Sequence, residues 1–224
     1  ERWSSAARRC DGSSKPIHRR STASSRGRFS WHGPSARGAT EAGAALSGEA
    51  AIRRAVVEDA AELAALAERT FVQAFGARNR PEDLELHVRT SYGVEIQRGE
   101  ILDADVATFV VECDGELIAY VQLAQGAVPP GVSGARPIEI RRFYVDAPWH
   151  GRGLAQRLMS AAVDFAADAG ADVIWLGVWE ENPRGIAFYR KCGFAVVGAH
   201  TFVVGTDPQR DVLMARRAGR DSVP

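Results

Sequence analysis

The chain has 224 residues and no formal net charge, enough for one sizeable core. That zero hides an asymmetry: residues 1–50 hold nine Arg/Lys against four Asp/Glu, leaving 19 against 24 in the remainder, a mildly acidic balance that argues against nucleic-acid binding by the folded part. Three scattered cysteines, Cys10, Cys113 and Cys192, fit no disulfide framework or zinc spacing and suit a reducing cytoplasm, while no run of about 18 apolar residues is present to span a membrane.

Residues 1–48 are rich in Ser, Arg, Gly and Ala, with no sustained apolar period. They read as a disordered basic extension without the apolar core of a signal peptide; a basic arm that touches nucleic acid is the rival reading. The chain opens on Glu1 and its only methionines are Met159 and Met214, so a start upstream of the given sequence is expected. The folded domain is expected over 49–217, with 218–224 as a tail. Ile52 to Val57 reads as a strand, and Glu58-Asp59 opens a helix with Ala61, Leu63, Leu66 and Phe71 on its apolar stripe. Arg80-Pro81-Glu82-Asp83 starts a second helix running to about Gly93. Val106–Glu112 and Leu117–Leu123 form a hairpin around the tight-turn signal Asp114-Gly115. Ile138–Val145 is a strand, Gly153–Ala169 a helix, Val173–Val178 a buried strand and Pro183–Lys191 a short helix stopped by Gly193. Phe194–Val197 and Val212–Ala215 close a mixed sheet with helices on both faces, an α/β (α+β) arrangement.

Between the Ile138–Val145 strand and the helix after it stands Trp149-His150-Gly151-Arg152-Gly153-Leu154-Ala155. Helix N-termini carry free N–H groups and partial positive charge, and glycine lets a ligand approach the backbone. The stretch is therefore either a phosphate-binding loop or an ordinary turn with a glycine-assisted helix start. It is not a G-x-x-x-x-G-K-[ST] loop, and Gln156 breaks the dinucleotide pattern G-x-G-x-x-G.

A second stretch, Gly177-Val-Trp-Glu-Glu-Asn182-Pro-Arg-Gly-Ile186-Ala-Phe-Tyr189-Arg-Lys-Cys-Gly193-Phe194, weighs on that choice. With the first it resembles the GCN5-related N-acetyltransferase (GNAT) family, whose loop reads [QR]-x-x-G-x-[GA]. His150 departs from the Gln or Arg of its first position; Gly153 and Ala155 match. The resemblance covers about Ala51 to Arg217. It implies a mostly antiparallel central sheet in which two parallel strands, here Ile138–Val145 and Val173–Val178, splay apart to take the pantetheine of acetyl-CoA. It further implies CoA contacts at Phe143, Tyr144, Val145, His150, Gly151, Arg152, Gly153, Leu154, Ala155, Asn182, Ile186 and Tyr189. Tyr189 is then the general acid for the leaving thiolate, against a packing role beside Phe188. Glu139, fourteen residues ahead of Gly153, is the candidate base, against simple pairing with Arg141 or Arg142; Glu180, Glu181 and an ordered water are rivals. Strand alternation is expected to put Glu139, Arg141, Phe143 and Val145 on one face.

Cys113 and Cys192 have no neighbouring His in sequence and read as packing residues. Trp175 and Trp179 follow a period of two, so at least one is expected in the core, and His87 and His200 show no metal-ligand spacing. Thr70 to Val88 resembles the T-F-x-x-x-F-G-x-x-N pattern of bacterial polyamine N-acetyltransferase-like members. The expected function is a metal-free, cytoplasmic transfer of acetyl from acetyl-CoA to a small primary amine, a polyamine first. The alternatives are a protein N-terminus or lysine as acceptor, or a non-catalytic CoA-binding regulator. Homodimers are common in the family, and that expectation comes from the resemblance alone.

Overall fold

A computed structural model of the chain describes residues 50–219; the expectations for 1–48 and for most of the C-terminal tail lie outside them. The strands are β1 Ala51–Arg54, β2 Val106–Cys113, β3 Glu116–Ala124, β4 Pro137–Val145, β5 Val173–Trp179, β6 Ala195–Val204 and β7 Asp207–Arg217. The longer helices are α1 Ala60–Phe75, α2 Pro81–Ser91, α3 Val94–Leu102, α4 Leu154–Asp168 and α5 Pro183–Lys191.

Local chemistry explains the boundaries. Asp59 accepts from the Val56 N–H and forks to Arg53 at 2.7 and 2.8 Å, pinning the entry of α1 to β1. Pro81 and Pro183 sit in the first turns of α2 and α5, where a missing N–H costs nothing. The Asp114-Gly115 turn has φ of 52° and 82°, as a tight hairpin requires.

Four expectations need correction. Ala61 faces solvent, and the buried stripe of α1 is Leu63, Leu66, Ala67 and Phe71. The second helix ends at Ser91, and a separate helix, α3, follows Gly93. The last two strands are far longer than expected and form a hairpin closed at Gly205-Thr206. Finally, β4 bulges against β3: Gln122 pairs with Arg142 but Leu123 with Ile140, so Arg141 is the extra residue. A bulge shifts the alternation by one. Ile140, Phe143 and Val145 therefore share one face, and Glu139 falls on the other.

The sheet order is β1-β2-β3-β4-β5-β7-β6. All neighbours are antiparallel except β4 and β5, which pair in parallel over three rungs only, ending at Glu139↔Trp175. Beyond that rung they part, and β5 continues against β7 as far as Trp179↔Asp211. One core, with Leu154, Leu158, Met159 and Ala162 of α4, packs against Ile140, Ile174, Leu176 and Val178. A second, with Leu63, Leu66 and Phe71 of α1, packs against Val110, Tyr120 and Leu117. Helices thus cover both faces, and the splay between β4 and β5 lies between the two layers.

Candidate active site

The splay leaves main-chain groups of β4 without a strand partner. The N–H of Asp146 bonds the Ile118 carbonyl on β3, so by antiparallel alternation the N–H and C=O of Val145 and Phe143 point into the gap. His150 reaches back there: its Nε2 bonds the Val145 carbonyl at 2.7 Å. The residue that departs from the family's Gln or Arg therefore ties the loop to the strand.

The loop itself is built for close approach. Gly151 and Gly153 have φ of 78° and 77°, a conformation that L side chains avoid. A Cβ on either would meet nothing within 4 Å. No neighbouring group forces these glycines, and the space above them is open. Helix α4 begins at Leu154 with no side-chain cap, and its first internal bond runs from the Arg157 N–H to the Gly153 carbonyl at 3.2 Å. The amides of Leu154, Ala155 and Gln156 have no intrahelical partner, which suits an anion at this end. Arg152 is exposed and stacks on Trp149, 4.9 Å from the ring centroid.

A cavity of about 230 Å³ over this loop includes Gly151, Gly153 and Leu154 in its wall. It shares Val145, His150, Ala155, Arg184 and Phe188 with a larger cavity of about 850 Å³ that follows the splay. The two form one trough. Phe143, Tyr144, Asn182 and Tyr189 stand on its wall. The Asn182 side-chain oxygen accepts from the Gly185 N–H at 2.9 Å and caps α5. Tyr189 packs edge-on to Phe143, Phe188 and Phe194, and burial pushes its phenol far above the ordinary value, so it is protonated at neutral pH. Ile186 packs into the α4-side core and is not on the wall.

The far end of the trough is lined by Phe71 and Phe75 of α1, His87 of α2, and Trp179, Phe202, His200 and Asp211, with Phe75 edge-on to Trp179 and His87 edge-on to Phe202. The Asp83 carboxylate accepts from both the N–H and the hydroxyl of Thr206 at 2.7 Å, and Asn79 accepts from Gln209. These bonds tie the α1–α2 segment to the β6–β7 hairpin. Of the Thr70–Asn79 pattern, Thr70, Phe71 and Phe75 face the cavity, while Asn79 holds its roof.

Glu139 is not on that wall. It sits at the last parallel rung, with Arg141 3.8 Å away, and burial pushes its pKa up against the pull of Arg141 and Arg142. Glu180 bonds Arg210 at 2.6 Å and Glu181 lies 3.6 Å from Arg78; both are exposed. The carboxylate the cavity does contain is Asp211, which burial and the nearby Glu180 raise to about 6. It stands opposite His200 on the hairpin. In the sequence His200 showed only an absence of metal-ligand spacing, and nothing local marked Asp211. The signal for them was Gly177, a glycine inside a strand, which marks close approach by another group.

A family profile described as "Acetyltransferase (GNAT) family" matches residues 62–194. The chain belongs to the GNAT family of acetyltransferases. This GNAT protein is 34% identical over 158 residues to an uncharacterized N-acetyltransferase of Mycobacterium bovis, covering 70% of this chain and 97% of the relative. It is 31% identical over 117 residues to spermidine N(1)-acetyltransferase of Escherichia coli, covering 51% and 60%. In fold it is similar to the PaiA N-acetyltransferase of Thermoplasma acidophilum in complex with coenzyme A. The TM-score is 0.63 at 21% identity, over 75% of this chain and 99% of that one. The chain is thus an N-acetyltransferase with a GNAT fold, and the open backbone at Gly151 and Gly153 leaves room for an anionic group such as a pyrophosphate. No helix among the described residues is long and apolar enough to cross a membrane.

Proposed function

We propose that this GNAT protein transfers acetyl from acetyl-CoA to the primary amine of a small molecule, directly and in a ternary complex in the cytoplasm. The observation that carries the reading is the continuous trough. It runs from an open glycine loop, along β4 main chain that has no strand partner, to an aromatic-lined end between α1, α2 and the β6–β7 hairpin.

In this reading the amides of Gly151 to Ala155 hold the pyrophosphate, with Arg152 adding charge. Val145 and Asn182 meet the pantetheine, flanked by Tyr144, and Ile186 supports the helix from which Tyr189 projects. The Phe143 amide faces the thioester carbonyl and stabilises the oxyanion that forms on attack. Tyr189 donates its proton to the departing thiolate. The roof built by Asp83–Thr206 and Asn79–Gln209 favours a small acceptor over a protein N-terminus or lysine, which needs an open groove.

A polyamine acceptor is supported by the likeness to spermidine N(1)-acetyltransferase and by the Thr70–Asn79 pattern. Among the described residues Asp211 is the one carboxylate on the wall, and Arg141 and Arg142 are paired with Glu139 and Glu100, so the wall offers a cation one anionic partner. Thiol release from acetyl-CoA, measured with polyamines, amino acids, aminoglycosides and short peptides, tests the reading. Turnover with a small amine and none with peptides supports it. Turnover with peptides alone overturns it.

A further inference from the structure

An acceptor amine reaches the site as an ammonium, since its pKa is about 10 on the lysine scale, and it must lose a proton before it can attack. The groups able to take that proton can be sorted by position. Glu139 lies off the cavity wall, and Glu180 and Glu181 are exposed and face arginines. Cys192 is buried and its thiol is pushed up to about 11. Of the other histidines on the wall, His150 bonds the Val145 carbonyl and His87 bonds the backbone of Val203, so His200 and Asp211 remain.

They are directly opposed residues of the β6–β7 hairpin, and both stand on the wall. His200 Nε2 is 3.9 Å from Asp211 Oδ2, too far for a hydrogen bond. That nitrogen is buried and has no hydrogen-bond partner among the described residues. A buried polar atom without a partner requires an explanation. At 3.9 Å the two atoms are close enough to share one donor nitrogen. Their place in the trough is also apt: the imidazole lies against Gly177, two residues past the rung where β4 and β5 part.

We infer that His200 is the general base for the acceptor amine, with Asp211 binding the same ammonium and facing the imidazolium that results. This rests on the acetyl-transfer reading above. The ammonium donates to Asp211 and to His200 Nε2, and one proton passes to Nε2. The free amine then adds to the thioester carbonyl. As the carbon–sulfur bond breaks, Tyr189 gives its proton to sulfur, and the second amine proton restores the phenol. The products are the acetamide, free CoA thiol and one proton, which leaves His200 for solvent. Burial lowers the His200 pKa, which keeps the ring neutral and able to accept. Among charged groups, Glu180, itself paired with Arg210, acts on Asp211, and His87, Arg141, Arg142 and Arg184 share the cavity wall with the pair.

The test is thiol release by the full chain, wild type against His200→Ala and His200→Gln, with the best small amine found, from pH 6 to pH 10. Loss of a general base costs about 10²- to 10⁴-fold. A fall of at least 100-fold in kcat/KM at pH 7 is expected in both variants, with the KM for acetyl-CoA unchanged. The deficit must shrink toward pH 10, where about half of the amine has already lost its proton, and added imidazole must restore part of the rate to His200→Ala. A structural role would give a deficit independent of pH and no rescue, and that result overturns the inference, as does a loss below threefold. A wild type that turns over while His200→Ala matches it refutes the base alone. A wild type that acetylates no amine refutes the acetyl-transfer reading with it.

Discussion

A Cβ on Gly177 would stand 2.8 Å from His200 Nε2. The strand gives up a side chain at that point, and the imidazole of the neighbouring hairpin fills the space. Gly177→Ala is therefore expected to push the ring off its position. We expect kcat to fall at least tenfold while the affinity for CoA, measured by calorimetry, stays within threefold. An active Gly177→Ala protein would show that the ring's position is immaterial.

Asp211 carries a stability cost whose sign can be worked out. Burial raises its pKa from 3.8 to about 6, so between those values the folded state binds more protons than the unfolded one. Stability contributed by the neutral acid is present below pH 3.8 and is lost as pH rises through 6. Asp211→Asn should therefore stabilise the protein at pH 8, by something on the order of 1–2 kcal/mol once solvent screening is allowed for. The gain should vanish at pH 4, and activity should fall at both. Urea melts at the two pH values check it; equal effects at both would contradict the assignment.

The protonated phenol of Tyr189 predicts a split between binding and chemistry. Tyr189→Phe keeps the ring that packs on Phe143, Phe188 and Phe194. CoA affinity should hold within a few-fold while kcat drops by about 10²-fold or more. A variant with normal kcat would make Tyr189 a packing residue only.

At Gly153 the backbone decides. With φ of 77°, an alanine there costs about 1 kcal/mol, and its methyl enters the open cradle rather than any protein group. Gly153→Ala should weaken CoA binding at least tenfold by calorimetry and lower the melting temperature by a few degrees. Unchanged affinity would argue that the loop does not hold the pyrophosphate.

Much of this was legible in the sequence where the signal is local. Helix α5 runs from Pro183 to Lys191 as read, because Asn182, Pro183 and Gly193 punctuate it. The Asp114-Gly115 turn declared its hairpin. What failed was non-local. The bulge at Arg141 depends on how β3 pairs with β4, and it moved Glu139 to the other face from Phe143 and Val145. Strand β6 is mostly exposed, with Val196, Val203 and Phe202 at or near the surface, so no burial pattern announced its length. With the hairpin unseen, His200 and Asp211 were only an isolated histidine and an aspartate. Their pairing exists through the register alone.

The central claim is that one trough holds both substrates for direct transfer. The most direct measurement is the initial-velocity pattern of thiol release, varying acetyl-CoA at several fixed concentrations of the accepted amine. Direct transfer in a ternary complex predicts reciprocal plots that intersect. Parallel lines would indicate an acetyl-enzyme intermediate, and that would contradict the account.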